Sequence, residues 1–434
     1  MIARDIWIEI IKDFQEKELP KIVDREIEVD LNIPLRRATT LIGPRRAGKT
    51  FYFFQLIQKL LSKGVNKNRI LYINLEELKL EGATVKDLLN CIEIYYEMFP
   101  ENKNETIWLF LDEIQNVEDW ERFVRTMLDR EKIKVFITGS SSKILSKEIA
   151  TQLRGRSITY NIYPFSFREY LRAKNIQYSK YLSSSDIARI SNALDEYLHA
   201  GGYPEAVLYP RERDKILRDI VDVTIYRDII ERWNIRNIKV LRLLIKALIN
   251  SKEFSVNKFY RYLQTLGIKI GKNTIYDYLE YLQDALFIFL LRRYSPSYRL
   301  QKQTIPKVYV IDNGILTSYG VKDKTRLIEN LVFLELIRRK SYGLLDGELY
   351  YYKTNSYEVD FLVKTSNGIE LIQVAYDVSD FNTKNREIRA LVKASDQLNT
   401  NKLMIINWDY DGIESHSGKE IKFIKLWKWL LSTS

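Results

Sequence analysis

Sulfur and imidazole are nearly missing from this 434-residue chain, which has one cysteine, Cys91, and two histidines, His199 and His416. That excludes an internal disulfide and any zinc centre built on thiolates, and two imidazoles leave little for a histidine metal site. Cys91 is read as a core residue. No apolar run approaches the roughly 18–20 residues that a spanning helix needs, so no membrane insertion is expected. The opening residues, Met1-Ile2-Ala3-Arg4-Asp5-Ile6-Trp7, place an acid early and lack a basic-then-apolar leader. A cytoplasmic location is expected on those grounds. Internal repeats and low-complexity tracts are also missing.

What is present is a hydrophobic share of 46% and a charged share of 29%, the mixture of a folded chain. Its length is too great for one ordinary core, so two to four domains are expected. The formal charge is +11, and residues 234–310 carry 14 Lys or Arg against four acids, a net of +10. Nearly the whole excess thus lies in under a fifth of the sequence. Such a concentration suits a surface that meets phosphates; a solvated basic face without a partner is the alternative.

Short apolar runs alternate with helical patterns over residues 21–165, after an N-terminal helix within residues 1–20. The runs at 38–42, 70–75, 107–111 and 135–138 read as buried strands, and 49–61, 85–96 and 120–128 as helices between them. Continuous apolar strands separated by helices predict a parallel sheet covered on both faces. Residues 166–233 read as a helical lid. Three amphipathic helices at 238–250, 255–265 and 273–285, followed by the apolar stretch 286–291, predict a winged helix-turn-helix over 234–312. A final α/β domain occupies 313–434, with a helix from Arg326 and strands near 348–352, 358–363, 370–374 and 403–407.

The stretch Gly43-Pro44-Arg45-Arg46-Ala47-Gly48-Lys49-Thr50 follows a predicted strand and opens a helix. In that context its glycines let backbone N–H groups curl round phosphates at a helix N-terminus. Lys49 then reaches the β- and γ-phosphates of ATP, and the Thr50 hydroxyl ligates Mg2+. Pro44 stiffens the loop, while Arg45 and Arg46 are either solvated charges or contacts made in trans. One β-α unit later, Trp108-Leu109-Phe110-Leu111 delivers Asp112 and Glu113 to a strand end. There Asp112 would hold Mg2+ and Glu113 would act as general base toward water; a helix N-cap is the other reading of Asp112. The next strand ends at Thr138-Gly139-Ser140-Ser141-Ser142, where Thr138 or Ser140 could orient the water, or the serines could cap a helix beginning near Lys143. Arg154-Gly155-Arg156 could neutralise charge on a transferred phosphoryl group, within the chain or across a homo-oligomer interface; a surface arginine pair is the alternative.

These residues carry a resemblance over nearly the whole chain. Residues 40–50, 109–115, Ile137-Thr138-Gly139-Ser140-Ser141-Ser142, and Leu153-Arg154-Gly155-Arg156 with Tyr163-Pro164-Phe165-Ser166-Phe167 resemble the prokaryotic AAA-like P-loop ATPases with a C-terminal restriction-endonuclease-like domain. Tyr226-Arg227-Asp228-Ile229-Ile230 and Val359-Asp360-Phe361-Leu362-Val363 are similar to further segments of that group. Gly201-Gly202-Tyr203-Pro204 is similar to its Gly-Gly-x-Pro element, and the resemblance implies that Gly202 and Pro204 pack near the nucleotide base. It also implies a nuclease-shaped fold over 313–434, in which Glu329 and Asp360 fit two metal-binding places. Gln373 stands at the third acid and Ala375 at the lysine, so the domain is read as inactive unless Lys353 or Lys384 substitutes in space.

The charged segment supplies the partner reading. Lys272, Asn273 and Thr274 open the presumed recognition helix and could reach phosphate or base edges of DNA, with Arg292 and Arg293 touching flanking backbone. A winged helix used only to dock protein is the alternative. The expectation is therefore a Mg2+-dependent ATPase that binds or remodels DNA; the competing readings are a nucleotide-regulated interaction switch and an ATP-gated nuclease.

Overall fold

The computed structural model describes every residue except 34–35, 131, 141–150, 180 and 433–434. Two compact units divide it, Met1–Tyr163 and Pro164–Ser434. The segments expected as lid, winged helix and end domain therefore belong to one unit.

In the first unit, strands β1 (Ala38–Gly43), β2 (Ile70–Asn74), β3 (Ile107–Asp112), β4 (Ile133–Ser140) and β5 (Ser157–Asn161) form one sheet in the order β2-β3-β4-β1-β5. All neighbours run parallel. Every residue of β1 and β3 is buried, as expected of strands covered on both faces. Helices Lys49–Ser62, Val85–Met98 and Trp120–Asp129 connect them. The second of these begins at a capping box, where Thr84 and Asp87 satisfy each other's backbone donors. The N-terminal helix Arg4–Glu16 packs Trp7, Ile10 and Ile11 into the same core as Ile94 and Leu71. β5 is half-buried throughout and lies at the sheet edge, where the polar Ser-Ile-Thr-Tyr-Asn pattern is tolerated.

In the second unit, Phe167–Ala173, Ser184–Ala200, Pro204–Leu208 and Arg213–Val223 are helices, and the last runs on into a π-helical stretch, Thr224–Glu231. Helices Ile238–Ile249, Val256–Thr265 and Lys272–Asp284 lead to strand β6 (Ile288–Leu291), which pairs antiparallel with β7 (Lys307–Val310). A bridge from Glu253 to Lys307 adds a third short partner. A six-stranded mixed sheet closes the chain in the order β12-β13-β11-β10-β9-β8. Its strands are β8 (Glu348–Lys353), β9 (Glu358–Thr365), β10 (Gly368–Val374), β11 (Lys402–Asn407), β12 (Gly412–His416) and β13 (Lys419–Lys425). Helices Lys324–Ser341 and Phe381–Leu398 pack on it. The α/β class and the parallel sheet agree with the sequence reading, which placed four of the five strands; β5 is the addition.

Candidate functional site

The loop between β1 and the helix Lys49–Ser62 is shaped by close approaches. A Cβ on Gly43 would lie 2.1 Å from the Ile162 carbonyl oxygen, so only glycine fits there. Gly48 has φ +96° and serves as the N-cap, a left-handed conformation that a side chain would strain. Ala47 is fully buried and Lys49 is 5% exposed. The Lys49 ammonium donates to the Gly43 carbonyl at 3.1 Å and to the Pro44 carbonyl at 3.3 Å, so it lies inside the loop's own curve. Arg46 takes φ +59° at the exposed crest. Beneath the loop, buried Arg25 donates to the carbonyls of Ala47, at 2.8 Å, and Tyr163. Sequence reasoning missed Arg25, because a lone arginine in Val23-Asp24-Arg25-Glu26 carries no motif.

Asp112 ends β3 and faces three hydroxyls. Thr138, one residue beyond the β3–β4 pairing of Leu111 with Ile137, donates to Asp112 Oδ1. Tyr72 of β2 donates to Oδ2 at 3.1 Å, and Thr50 also hydrogen-bonds this carboxylate. Burial pushes the Asp112 carboxyl up, while the hydroxyls of Thr138, Thr50 and Tyr72 oppose that. The same Thr138 oxygen accepts the Glu113 N–H at 2.9 Å. Thr138 thus binds the acid pair together, and a parallel sheet brings Thr50, Asp112 and Thr138 to one edge, at the strands' C-terminal ends. Glu113 has φ +51°, and its Oε2 accepts from Gln115 Nε2 at 2.6 Å. Tyr72 and Gln115 were not selected from sequence; the parallel register sets Asn74 opposite Asp112, and Tyr72 reaches the carboxylate from two residues earlier in β2. Ser140 ends β4 opposite Gly43, and its side chain, like Ser141, Ser142 and Lys143, lies outside the described residues.

Arg154 and Arg156 stand elsewhere. Arg156 directly precedes β5, and Ser157 pairs with Ala38 at the beginning of β1, whereas the phosphate loop follows β1's end. Five strand steps, roughly 17 Å, separate those sheet edges. Arg156 pairs with Asp129 at 2.7 Å, and exposed Arg154 has φ +52°. These arginines therefore do not face the phosphate loop of their own chain.

In the second unit, Gly201 and Gly202 are demanded by packing. A Cβ on Gly201 would lie 1.8 Å from Asp312 Oδ1, and one on Gly202 would lie 2.3 Å from the Phe165 carbonyl. The Gly202 N–H donates to Asp312 Oδ2 at 2.6 Å, and Pro204 begins the helix Pro204–Leu208. Both residues thus have clear structural work within their own unit.

The basic segment presents Lys272 and Asn273 as exposed residues and Thr274 as half-buried, with the Lys272 ammonium 5.2 Å from the Tyr260 ring centre. Exposed Tyr276, Asp277 and Glu280 continue that helix face. Arg292 and Arg293 are not on a free wing. Their backbone joins β8: the Tyr351 N–H donates to the Arg292 carbonyl at 3.1 Å and the Tyr294 N–H to the Tyr351 carbonyl at 2.7 Å. The physical reason is a bulge in β8 between Tyr350 and Tyr352, which turns Tyr351 away from β9. The Arg292 side chain stays exposed and Arg293 is half-buried.

A cleft of about 850 Å³ contains Glu329, Asp360 and Gln373. Lys307, from β7, sits among the acids at 2.8 Å from Glu329, 2.8 Å from Glu358 and 2.9 Å from Asp360. Burial would lower the Lys307 pKa, but Asp360 and Glu329 outweigh it and hold the ammonium well above its ordinary value. Gln373 accepts the Asp360 N–H at 3.1 Å and donates to Glu387. A nuclease metal does not fit this arrangement: an internal ammonium already satisfies the acids and the Gln373 oxygen is engaged. Lys353 reaches only the cleft edge, on Glu253 and Glu358, and Lys384 pairs with Glu414 instead.

Comparison with known proteins places this geometry. Residues 35–171 match the AAA domain model, while 191–325 and 324–429 match two domains of unknown function, DUF8612 and DUF4143. Uncharacterized protein MJ1544 of Methanocaldococcus jannaschii is 40% identical, over 100% of this chain and 97% of its own length. A Haemophilus influenzae protein is 28% identical over 98% of each chain. Among solved structures, Caenorhabditis elegans PCH-2 is 15% identical over 44% of this chain and 46% of that one, with a TM-score of 0.25, too low to carry an argument. No helix among the described residues is long and apolar enough to cross a membrane. The chain belongs to the family of the Methanocaldococcus jannaschii protein, and its phosphate loop and acid pair lie in an ATP-binding AAA domain.

Proposed function

We propose that the protein hydrolyses ATP with Mg2+ at the β1–β3–β4 edge and couples turnover to its grip on DNA. The observation that carries the hydrolytic half is the Asp112–Thr138–Glu113 arrangement beside buried Lys49. Gly43, Pro44, Arg45, Arg46, Ala47 and Gly48 shape the cradle in which backbone N–H groups take the phosphates, and Lys49 exchanges its loop carbonyls for phosphate oxygens. Thr50 and Asp112 would hold Mg2+, which when bound draws charge from the phosphate oxygens. Thr138 fixes Asp112 and the Glu113 backbone, and Glu113 takes a proton from the attacking water. Arg154 and Arg156, turned from their own loop, suit a site completed by a neighbouring copy.

The concentration of basic residues in 234–310 supports DNA as partner. Lys272, Asn273 and Thr274 would meet it first, with the exposed Arg292 side chain, and Arg293 beside it, on the flanking backbone. The helix order with its short strand pair suits a winged helix. Asp277 and Glu280, exposed on later turns of the same helix, favour a second reading in which that face docks protein under nucleotide control. The Lys307-filled cleft supports a C-terminal domain that does not cut.

The deciding measurement is the ATPase rate with and without single-stranded and duplex DNA, using Lys49→Ala as the blank and Glu113→Gln as the trapped state. DNA-stimulated turnover and salt-sensitive binding are expected. Turnover indifferent to every DNA form at low salt would remove DNA from the reading and leave the protein-docking switch.

A further inference from the structure

We infer that Gln115 is the positioning residue of the general base, holding the Glu113 carboxylate in the plane from which it accepts the water proton. This rests on the ATPase reading above and names a residue that reading does not use.

The argument begins with the turn that carries both residues. Immediately after β3 the chain enters Ile114–Asn116, a short 3-10 turn whose N-cap is Glu113. The turn is anchored on both sides of Gln115. Ile114 is fully buried, and the Asn116 side chain donates to the Leu75 carbonyl at 3.2 Å, just beyond the end of β2. Backbone bonds from Asn116 to Glu113 at 3.1 Å and from Val117 to Ile114 at 3.1 Å close it. At the start of the turn, the Glu113 N–H is fixed on Thr138 and its φ is left-handed, so the main chain of the base has little freedom. A glutamate side chain still has three torsions to place. The 2.6 Å bond from Gln115 Nε2 to Glu113 Oε2 removes that freedom at the carboxylate itself.

The chemical consequence follows from how a carboxylate works as a base. One oxygen held by an amide donor fixes the group's plane, and with it the direction from which the carboxylate meets the water. The attacking water forms its O–P bond to the γ-phosphorus as its proton passes to the Glu113 carboxylate, and the bond from phosphorus to the bridging oxygen breaks with its electron pair leaving on ADP. Gln115 exchanges no proton in this sequence; it determines where the acceptor stands. A loss of about 1 Å in placement of a catalytic group costs on the order of 100-fold in rate.

The test uses the full chain with ATP and Mg2+. Gln115→Met keeps length and packing but has no donor, and Gln115→Glu keeps shape but turns the donor into a like charge. Both are expected to lower kcat about 10- to 100-fold with KM for ATP, and affinity for a fluorescent ATP analogue, within about twofold of the unsubstituted chain. In a Glu113→Gln background, Gln115→Met is expected to add nothing, since it acts only through Glu113. The proposal is overturned if Gln115→Met turns over at the normal rate, or if its loss multiplies in full with that of Glu113→Gln. Absence of any turnover that depends on Lys49 would instead overturn the ATPase reading, and this proposal with it.

Discussion

Replacing Lys307 with methionine keeps the stem and removes the cation that pairs with Glu329, Glu358 and Asp360 together. The side chains of Lys307, Glu329 and Asp360 are 4%, 9% and 12% exposed, so two carboxylates would be left buried without their cation. Glu358 is 31% exposed and keeps Lys353 at 2.9 Å, and its share is discounted for solvent screening. Breaking a buried pair costs about 3–5 kcal/mol. At roughly 2–4 °C per kcal/mol for a unit of this order, the melting temperature should fall by about 6–20 °C. The sign with pH is also fixed. Burial already holds the Asp360 carboxyl up at about 7 against the pull of Lys307, and without the ammonium it stays raised above the unfolded chain, so the folded variant binds more protons than the unfolded one and loses stability as pH rises from about 4 toward 8. Scanning calorimetry of Lys307→Met near pH 5 and near pH 8, with hydrogen exchange of the helix Lys324–Ser341 as a local probe, reads both effects. A variant that melts within about 2 °C of the unsubstituted chain near pH 8, or that loses more near pH 5, would refute the reasoning.

Three further substitutions probe other parts of the second unit. Gly201→Ala and Gly267→Ala share φ values near +70°, but a Cβ meets Asp312 at 1.8 Å in the first and nothing within 4 Å in the second. Gly267→Ala should cost only the left-handed penalty of about 1–2 kcal/mol, while Gly201→Ala should cost at least twice that or prevent folding, as chemical denaturation of both proteins will show. Burial pushes Glu414 up, but Lys384, His416 and Tyr410 outweigh it and hold its carboxyl at about 2. That stabilisation is present above the ordinary glutamate range and is lost as pH falls through it toward 2, so Glu414→Gln should melt about 2–4 °C lower near neutral pH and equally near pH 2.

The first unit was legible because each of its signals was redundant. Buried strands left continuous apolar runs, and the phosphate loop named its own flanking strand and helix. β5 was missed, since an edge strand that is half-buried keeps polar residues and loses periodicity. The helix Phe381–Leu398 was missed for a related reason: its buried face has only Ile388 and Leu391 as large apolar side chains among Glu387, Ala390, Ala394 and Ser395, too few to register as an apolar stripe. Residues 166–233 read as a helical lid, yet after Arg213–Val223 the register slips into π geometry at Thr224, which spacing alone does not mark. At the C-terminal cleft the sequence located Glu329 and Asp360 and showed that Gln373 and Ala375 break the pattern. Lys353 and Lys384 are the lysines that stand near those strands in the sequence. The ammonium that fills the site arrives from β7, more than twenty residues before Glu329, because the strand pair β6–β7 delivers it there.

The bulge at Tyr351 has a mechanical meaning. Two backbone hydrogen bonds and the tyrosine hydroxyl, which donates to the Ile305 carbonyl at 2.5 Å, join the segment after β6 to the edge of the final sheet. Neighbouring attachments on one stiff strand share an applied load, where a single surface contact would yield alone. The three-helix segment and the final sheet should therefore turn as one lever arm, so that torque delivered to either is felt at the far end of both.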